Sequence, residues 1–217
     1  DGHDISQGAQ DPASGVAAVL EVARLLGKYA SDLPYTVRFA MWGVEEIGLL
    51  GSRYYVEEHL DEMDNVRFYF NMDGAGSVKN KGVVLNEWPE IAEMVKGWRK
   101  EMALDFGIDQ AVHAFSDHYP FLLAGVPTGG LQSVPQGTGG RGYGHTRYDT
   151  LDKVTLRELQ DAAVMASRLI VRWASAEEWP VEHRAKEEVK ELFDRPAYKE
   201  VDAFSKEVAA FYEKARA

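Results

Sequence analysis

The sequence predicts an α/β fold of three layers, α/β/α, with a central, mostly parallel mixed sheet and helices added at the C-terminal end. Three observations predict it. Apolar residues at helical spacing alternate along the chain with short β-branched and aromatic runs, the pattern of layered α/β proteins. Two of the strand-like runs end in carboxylates, at Glu45-Glu46 and at Asp73. Finally, 217 residues of which 45% are hydrophobic and 11% aromatic suffice for one main domain with a sizeable core.

From Ser14 to Leu26, the residues Val16, Val19, Leu20, Ala23 and Leu26 recur at helical spacing, and Ser14 stands where an N-cap belongs. Tyr35 to Met41 and Val66 to Met72 have strand composition. Gly82 to Leu85 predicts a short strand, and Ile91 to Met102 a helix. A helix end near Phe121 turns into a strand from Val126 to Leu131. Thr155-Leu-Arg-Glu158 is a capping-box pattern opening a helix to about Ala176, with Leu159, Ala163, Ala166 and Ile170 on one face. After Pro180 the chain becomes charged, and two amphipathic helices broken at Pro196 are expected, packed on the domain or on a partner.

Composition limits the function. With 24 Lys+Arg against 35 Asp+Glu the formal charge is −11, which argues against nucleic acid or an anionic membrane as partner and favours divalent cations. No apolar run approaches the roughly 20 residues of a membrane span. There is no cysteine, so any metal must be held by oxygen and imidazole.

The pair Glu45-Glu46 is the strongest single signal. Two adjacent carboxylates repel unless a cation or a shared proton compensates them, and a bound metal would do both. Open α/β sheets bind ligands at the carboxyl ends of their strands, where Glu45, Glu46 and Asp73 are expected. The run Gly137 to Gly142 matches G-x-G-x-x-G but follows no strand and opens no apolar helix, so it reads as a substrate-side loop. Asp149 reads as a turn cap, and His59 and His183 as exposed.

Taken together, Gln7-Gly-Ala-Gln-Asp11-Pro-Ala-Ser-Gly15, Glu45-Glu-Ile-Gly-Leu-Leu-Gly-Ser52, Asn71-Met-Asp-Gly74, Ser116-Asp-His118 with Ala124-Gly-Val-Pro127, and His145-Thr-Arg-Tyr-Asp-Thr150 resemble the co-catalytic di-zinc aminopeptidases. That family includes bacterial leucyl-type aminopeptidases and plasma glutamate carboxypeptidases. The resemblance runs over roughly residues 1 to 175. It implies a zinc-exopeptidase-like fold, a peptide substrate, a secreted or periplasmic setting, and two zinc ions in the complete enzyme. By resemblance Asp11 bridges the ions, Glu46 and His145 complete one site, and Asp73 with a further His completes the other. Glu45 stays off the metals and acts as general base on the water they hold.

His113, or Tyr143, is the candidate for stabilising the oxyanion. Asp117 is expected to orient a ligand or order the pocket floor. In similar proteins the first zinc-binding His belongs to a His-x-Asp unit whose Asp aligns with Asp1, so that His would lie two residues ahead of the sequence. The chain therefore looks truncated, and if that segment is absent from the molecule, one zinc site would be short of a ligand and two outer strands of the sheet would be gone. His3 stands closer to Asp11 than the family spacing. A cis peptide follows the bridging Asp in similar proteins, and here that bond is Asp11-Pro12, where proline makes cis inexpensive.

These expectations divide the chain into a zinc peptidase domain, residues 1–179, and a C-terminal helical extension, residues 180–217, through which copies could form a homo-oligomer. Two rivals stay open. Glutaminyl cyclases look similar, use one zinc and form pyroglutamate, and a non-catalytic relative would keep the fold without full metal occupancy.

Overall fold

The computed structural model describes residues 5–76, 81–134 and 142–216. Asp1, His3 and most of the glycine-rich run, Gly137 to Arg141, lie outside the described residues. Four strands, β1 (Tyr69–Asn71), β2 (Lys81–Val84), β3 (Gly107–Asp109) and β4 (Thr128–Ser133), form one sheet in the order β1-β4-β2-β3. The pairs β1–β4 and β2–β3 are parallel and β2–β4 is antiparallel, so the sheet is mixed.

One helical layer consists of α1 (Ser14–Leu26), α3 (Pro89–Glu101) and α5 (Leu156–Ser175). Its core joins Ile91, Val95, Leu169 and Trp173 to Val83, Leu85 and Leu131, and Val22 and Leu26 to Ala163 and Ala166. Small residues on α5 let α1 approach closely, while Pro89 opens α3 at the position where a missing N–H costs nothing. The opposite layer consists of α2 (Leu50–Glu58), α4 (His118–Leu123) and α6 (Lys186–Asp194), with Val189, Leu192 and Phe193 packed against Tyr119 and Leu122. A last helix, α7, spans Lys199–Arg216. Among the described residues no helix is long and apolar enough to cross a membrane.

Three local readings need correction. Ser14 is not a cap: it is buried inside the first turn of α1, and its hydroxyl accepts from the Ala75 and Gly76 amides at 2.8 and 2.9 Å while donating to the Gln10 carbonyl. The buried face of α1 is accordingly Ser14, Gly15, Ala18, Val22 and Leu26, whereas Val16 and Leu20 face outward. Close approach to the Asp73 carbonyl selects this face, since a Cβ on Gly15 would meet that oxygen at 1.6 Å.

Residues 35–41 alternate in exposure as a strand should, with Val37 and Phe39 half-buried, but join no ladder. This segment and Val66 to Phe70 both line a groove of about 810 Å³. Helix α2 and strand β3 carry too few apolar residues to announce themselves. Thr155 does cap α5, its hydroxyl accepting from the Glu158 amide at 3.3 Å, while the Glu158 carboxylate pairs with Lys81 instead of closing the box.

Candidate active site

The carboxylates predicted from the sequence converge just beyond the carboxyl end of β1. Asp73 follows β1 by two residues, and Asp11 is brought to it by a π-helical turn, Ala9–Ala13, with a cis Asp11-Pro12 bond. Glu45 and Glu46 lie in an irregular loop after the extended segment, with Val44 and Leu49 in the left-handed region at φ 62° and 59°. A loop that does not repeat lets adjacent side chains diverge. Glu46 points to His145, whose Nε2 stands 3.1 Å from its Oε2 and 3.3 Å from Asp11 Oδ2. Ligand atoms of Asp11, Glu46 and His145 all fall within 4.8 Å of one another. On the Glu45 carboxyl the charges of Asp73 and then Asp117 act most strongly, ahead of Glu46 and Asp11.

The electrostatics record unrelieved crowding. Burial, then Asp73, Asp117, Glu46 and Asp11, push the Glu45 carboxyl up to about 8. Burial and Glu46 raise Asp11, and burial and Asp11 raise Asp73; the two carboxyls are hydrogen-bonded to each other, as a pair sharing a proton would be. Asp117 is raised to about 6 by burial, against the hydrogen bond from Ser52 Oγ at 2.6 Å.

Supporting groups fix these acids. Ser116 Oγ donates to Asp73 Oδ2 at 2.8 Å and accepts from Asn71 Nδ2 at 2.7 Å. Asp149 is fully buried, and its two oxygens accept from the Gln10 and Asp11 amides at 2.7 and 3.0 Å. It is therefore an anchor for Asp11 across the fold rather than a local turn cap. Gly144 leaves room for Asp11, since a Cβ there would lie 2.8 Å from Asp11 Oδ2.

Asp149→Ala removes the acceptor of two amides in a protected turn. Equilibrium urea unfolding is expected to show a loss of about 2–4 kcal/mol. An unchanged midpoint would contradict the anchoring role.

His113 lies on the loop before Ser116. Burial lowers its pKa, its side chain is hydrogen-bonded to Gln132, and its carbonyl stands 3.0 Å from His118 Nε2. Tyr143 is exposed, with the Lys153 ammonium 5.2 Å from its ring centroid. His59 and His183 are half-buried rather than exposed: His59 stacks on Tyr55 at 4.3 Å, and His183 Nε2 meets the Val66 carbonyl at 2.9 Å. The supporting roles of Ser52 and Ser116 escaped sequence reading because a hydroxyl that orients an acid carries no spacing signal.

Oxygen and imidazole donors suit zinc. Tetrahedral ligands about 2.0–2.2 Å from the ion stand roughly 3.3–3.6 Å from one another, and the His145 contacts at 3.1 and 3.3 Å are close to such edges. The carboxylate–imidazole cluster thus lies at the strand ends of a mixed α/β sheet, the place where open α/β sheets bind their ligands.

The chain belongs to peptidase family M28, whose profile matches residues 1–170. Leupeptin-inactivating enzyme 1 of Streptomyces exfoliatus is 32% identical over 161 residues, 68% of this chain and 37% of that protein. Aminopeptidase YwaD of Bacillus subtilis is 28% identical over 199 residues, 87% of this chain and 43% of its own length. The structure of BSAP, a zinc aminopeptidase from Bacillus subtilis, superimposes with a TM-score of 0.68 at 26% identity, covering 84% of this chain and 47% of that one. The chain thus spans less than half the length of these relatives.

Proposed function

We propose that the protein is a zinc-dependent exopeptidase, an aminopeptidase that hydrolyses the terminal peptide bond of a peptide substrate. The observation that carries this reading is the spacing of Asp11, Glu46 and His145 around a point that a zinc ion would fill, with Glu45 next to Glu46 in the same loop and acted on by the surrounding acids. In this reading Asp11, Glu46 and His145 would hold one zinc ion, and Asp11 with Asp73 would contribute to a second site. The Asp11–Asp73 hydrogen bond supports a shared site, because two acids that share a proton can share a cation instead.

Bound zinc would polarise the scissile carbonyl and lower the pKa of a water. Glu45 takes the proton from the attacking water and delivers it to the leaving amine. Without metal its carboxyl is raised to about 8, and a nearby divalent charge would lower it so that it is ionised and able to accept a proton near neutrality. Asp117 and Ser116 orient the acids, and His113, kept neutral by burial, is the group we assign to the carbonyl oxygen, with Tyr143 as its rival. Residues 1–179 constitute the peptidase domain and 180–217 the extension, where exposed Phe211 would meet a second copy; size exclusion of Phe211→Asp against the parent tests that contact.

The activity test sets a leucine anilide beside its N-acetylated form and a Gln-initiated peptide, each incubated with zinc-loaded protein. Release of aniline from the free-amine substrate alone is expected. Pyroglutamate formation without anilide hydrolysis would overturn the assignment in favour of a cyclase.

A further inference from the structure

Helix α7 lies beyond the family match, which ends at residue 170, yet it reaches the loop that carries the glutamate pair. The Tyr212 hydroxyl donates to the Ile47 carbonyl. The next carbonyl, Gly48, accepts from Arg53 Nε at 3.0 Å, and the same guanidinium donates to Ser205 Oγ of α7 at 3.1 Å. Contact is close enough to exclude a side chain: Gly48 has φ 125°, and a Cβ there would stand 2.5 Å from the Tyr212 ring and 3.2 Å from Val208. A second contact reaches the other side of the site. Phe204 packs on Phe115 with ring centroids 5.8 Å apart, and Phe115 precedes Ser116, which holds Asp73.

We infer that α7 is a clamp that positions the loop bearing Glu45 and Glu46, with Tyr212 as its principal positioning residue. Inside the loop the Gly48 and Leu49 amides donate to the Glu45 carbonyl at 2.9 and 2.8 Å, and the Leu50 amide to the Val44 carbonyl at 3.2 Å. These bonds fold the backbone around Glu45 into a compact turn, entered from an irregular segment and leaving into α2 at Leu50. The turn's outward carbonyls, Ile47 and Gly48, are the two that α7 engages, directly and through Arg53. A tether at that point restricts rotation of the turn relative to the Asp73 side, to which Phe204 also connects. Proton transfer depends on holding the carboxyl within about half an ångström of its productive place, so a loosened turn should slow turnover more than it weakens substrate binding. This inference rests on the reading of Glu45 as the proton carrier.

The test is Tyr212→Phe in the full chain, which keeps the ring and removes the donor, with the exposed α7 variant Glu207→Gln as control. In metal-free protein, amide exchange of Gly48, Leu49 and Leu50 followed by NMR should accelerate about three- to tenfold, the equivalent of one lost hydrogen bond. In zinc-loaded protein kcat should fall by about the same factor while KM stays within about twofold, and the control should match the parent in both.

Unchanged exchange at the three amides would overturn the clamp. So would a raised KM at constant kcat, which would make α7 a wall of the substrate site instead. If Glu45→Gln is as active as the parent, the assignment of the base fails, and the exchange arm still decides whether α7 holds the loop.

Discussion

Glu45→Gln is expected to lower kcat by about two to four orders of magnitude and to leave zinc content unchanged. General acid–base catalysis by a positioned side chain is worth about 10²–10⁴, and the amide keeps the size of the acid while losing the ability to accept and return a proton. The reason to expect metal retention is geometric. Glu45 answers electrostatically to Asp73 and Asp117, whereas Glu46, one residue on, is the member of the pair that meets His145. Parallel assays of hydrolysis and of zinc per chain separate the two glutamates. Turnover within about tenfold of the parent would refute the assigned base.

Zinc should change the sign of the protein's response to pH. Without metal, Asp11, Asp73, Asp117 and Glu45 all have carboxyls raised by burial first, with neighbouring acids adding to it: Glu46 on Asp11, Asp11 on Asp73, and Asp73 on both Glu45 and Asp117. A folded-state pKa above the unfolded value means that the native state holds its protons longer. The stability these groups contribute is therefore fully present below the ordinary carboxylate range, and it is lost as pH rises through the folded values, about 6 for Asp117 and about 8 for Glu45. Metal-free protein is thus expected to melt at progressively lower temperature from pH 5 to pH 8. Zinc binds the deprotonated acids, so its stabilisation grows with pH and should flatten or reverse that decline. Thermal unfolding at several pH values, with and without zinc, measures this, and two parallel curves would mean that the cluster holds no cation.

The sequence was legible where one residue type carries the physics. Adjacent glutamates have no structural use without a cation, and the same glycine and proline that mark the Asp11 turn also shape it: Gly15 meets the Asp73 carbonyl, and Pro12 sits in the cis bond. Thr155 and Glu158 announced α5 because a cap is a local interaction. Long-range support was illegible. Asp149 looked like a turn former, since nothing local says that its carboxylate crosses the fold to the Asp11 amide. Ser14 looked like a cap for the same reason. The period of residues 35–41 matched their alternating exposure but not a strand, since pairing belongs to the neighbour and not to the segment. Nor could charge periodicity in α7 reveal that Tyr212 would meet the Ile47 carbonyl.

The decisive measurement is zinc binding by calorimetry to the metal-free protein and to Asp11→Ala at one pH near neutrality, with elemental analysis after desalting. Asp11 touches His145 on one side and Asp73 on the other, so its loss should leave too few converging donors to retain zinc through desalting. Zinc content and affinity equal to the parent's would show that the cluster is not the metal centre.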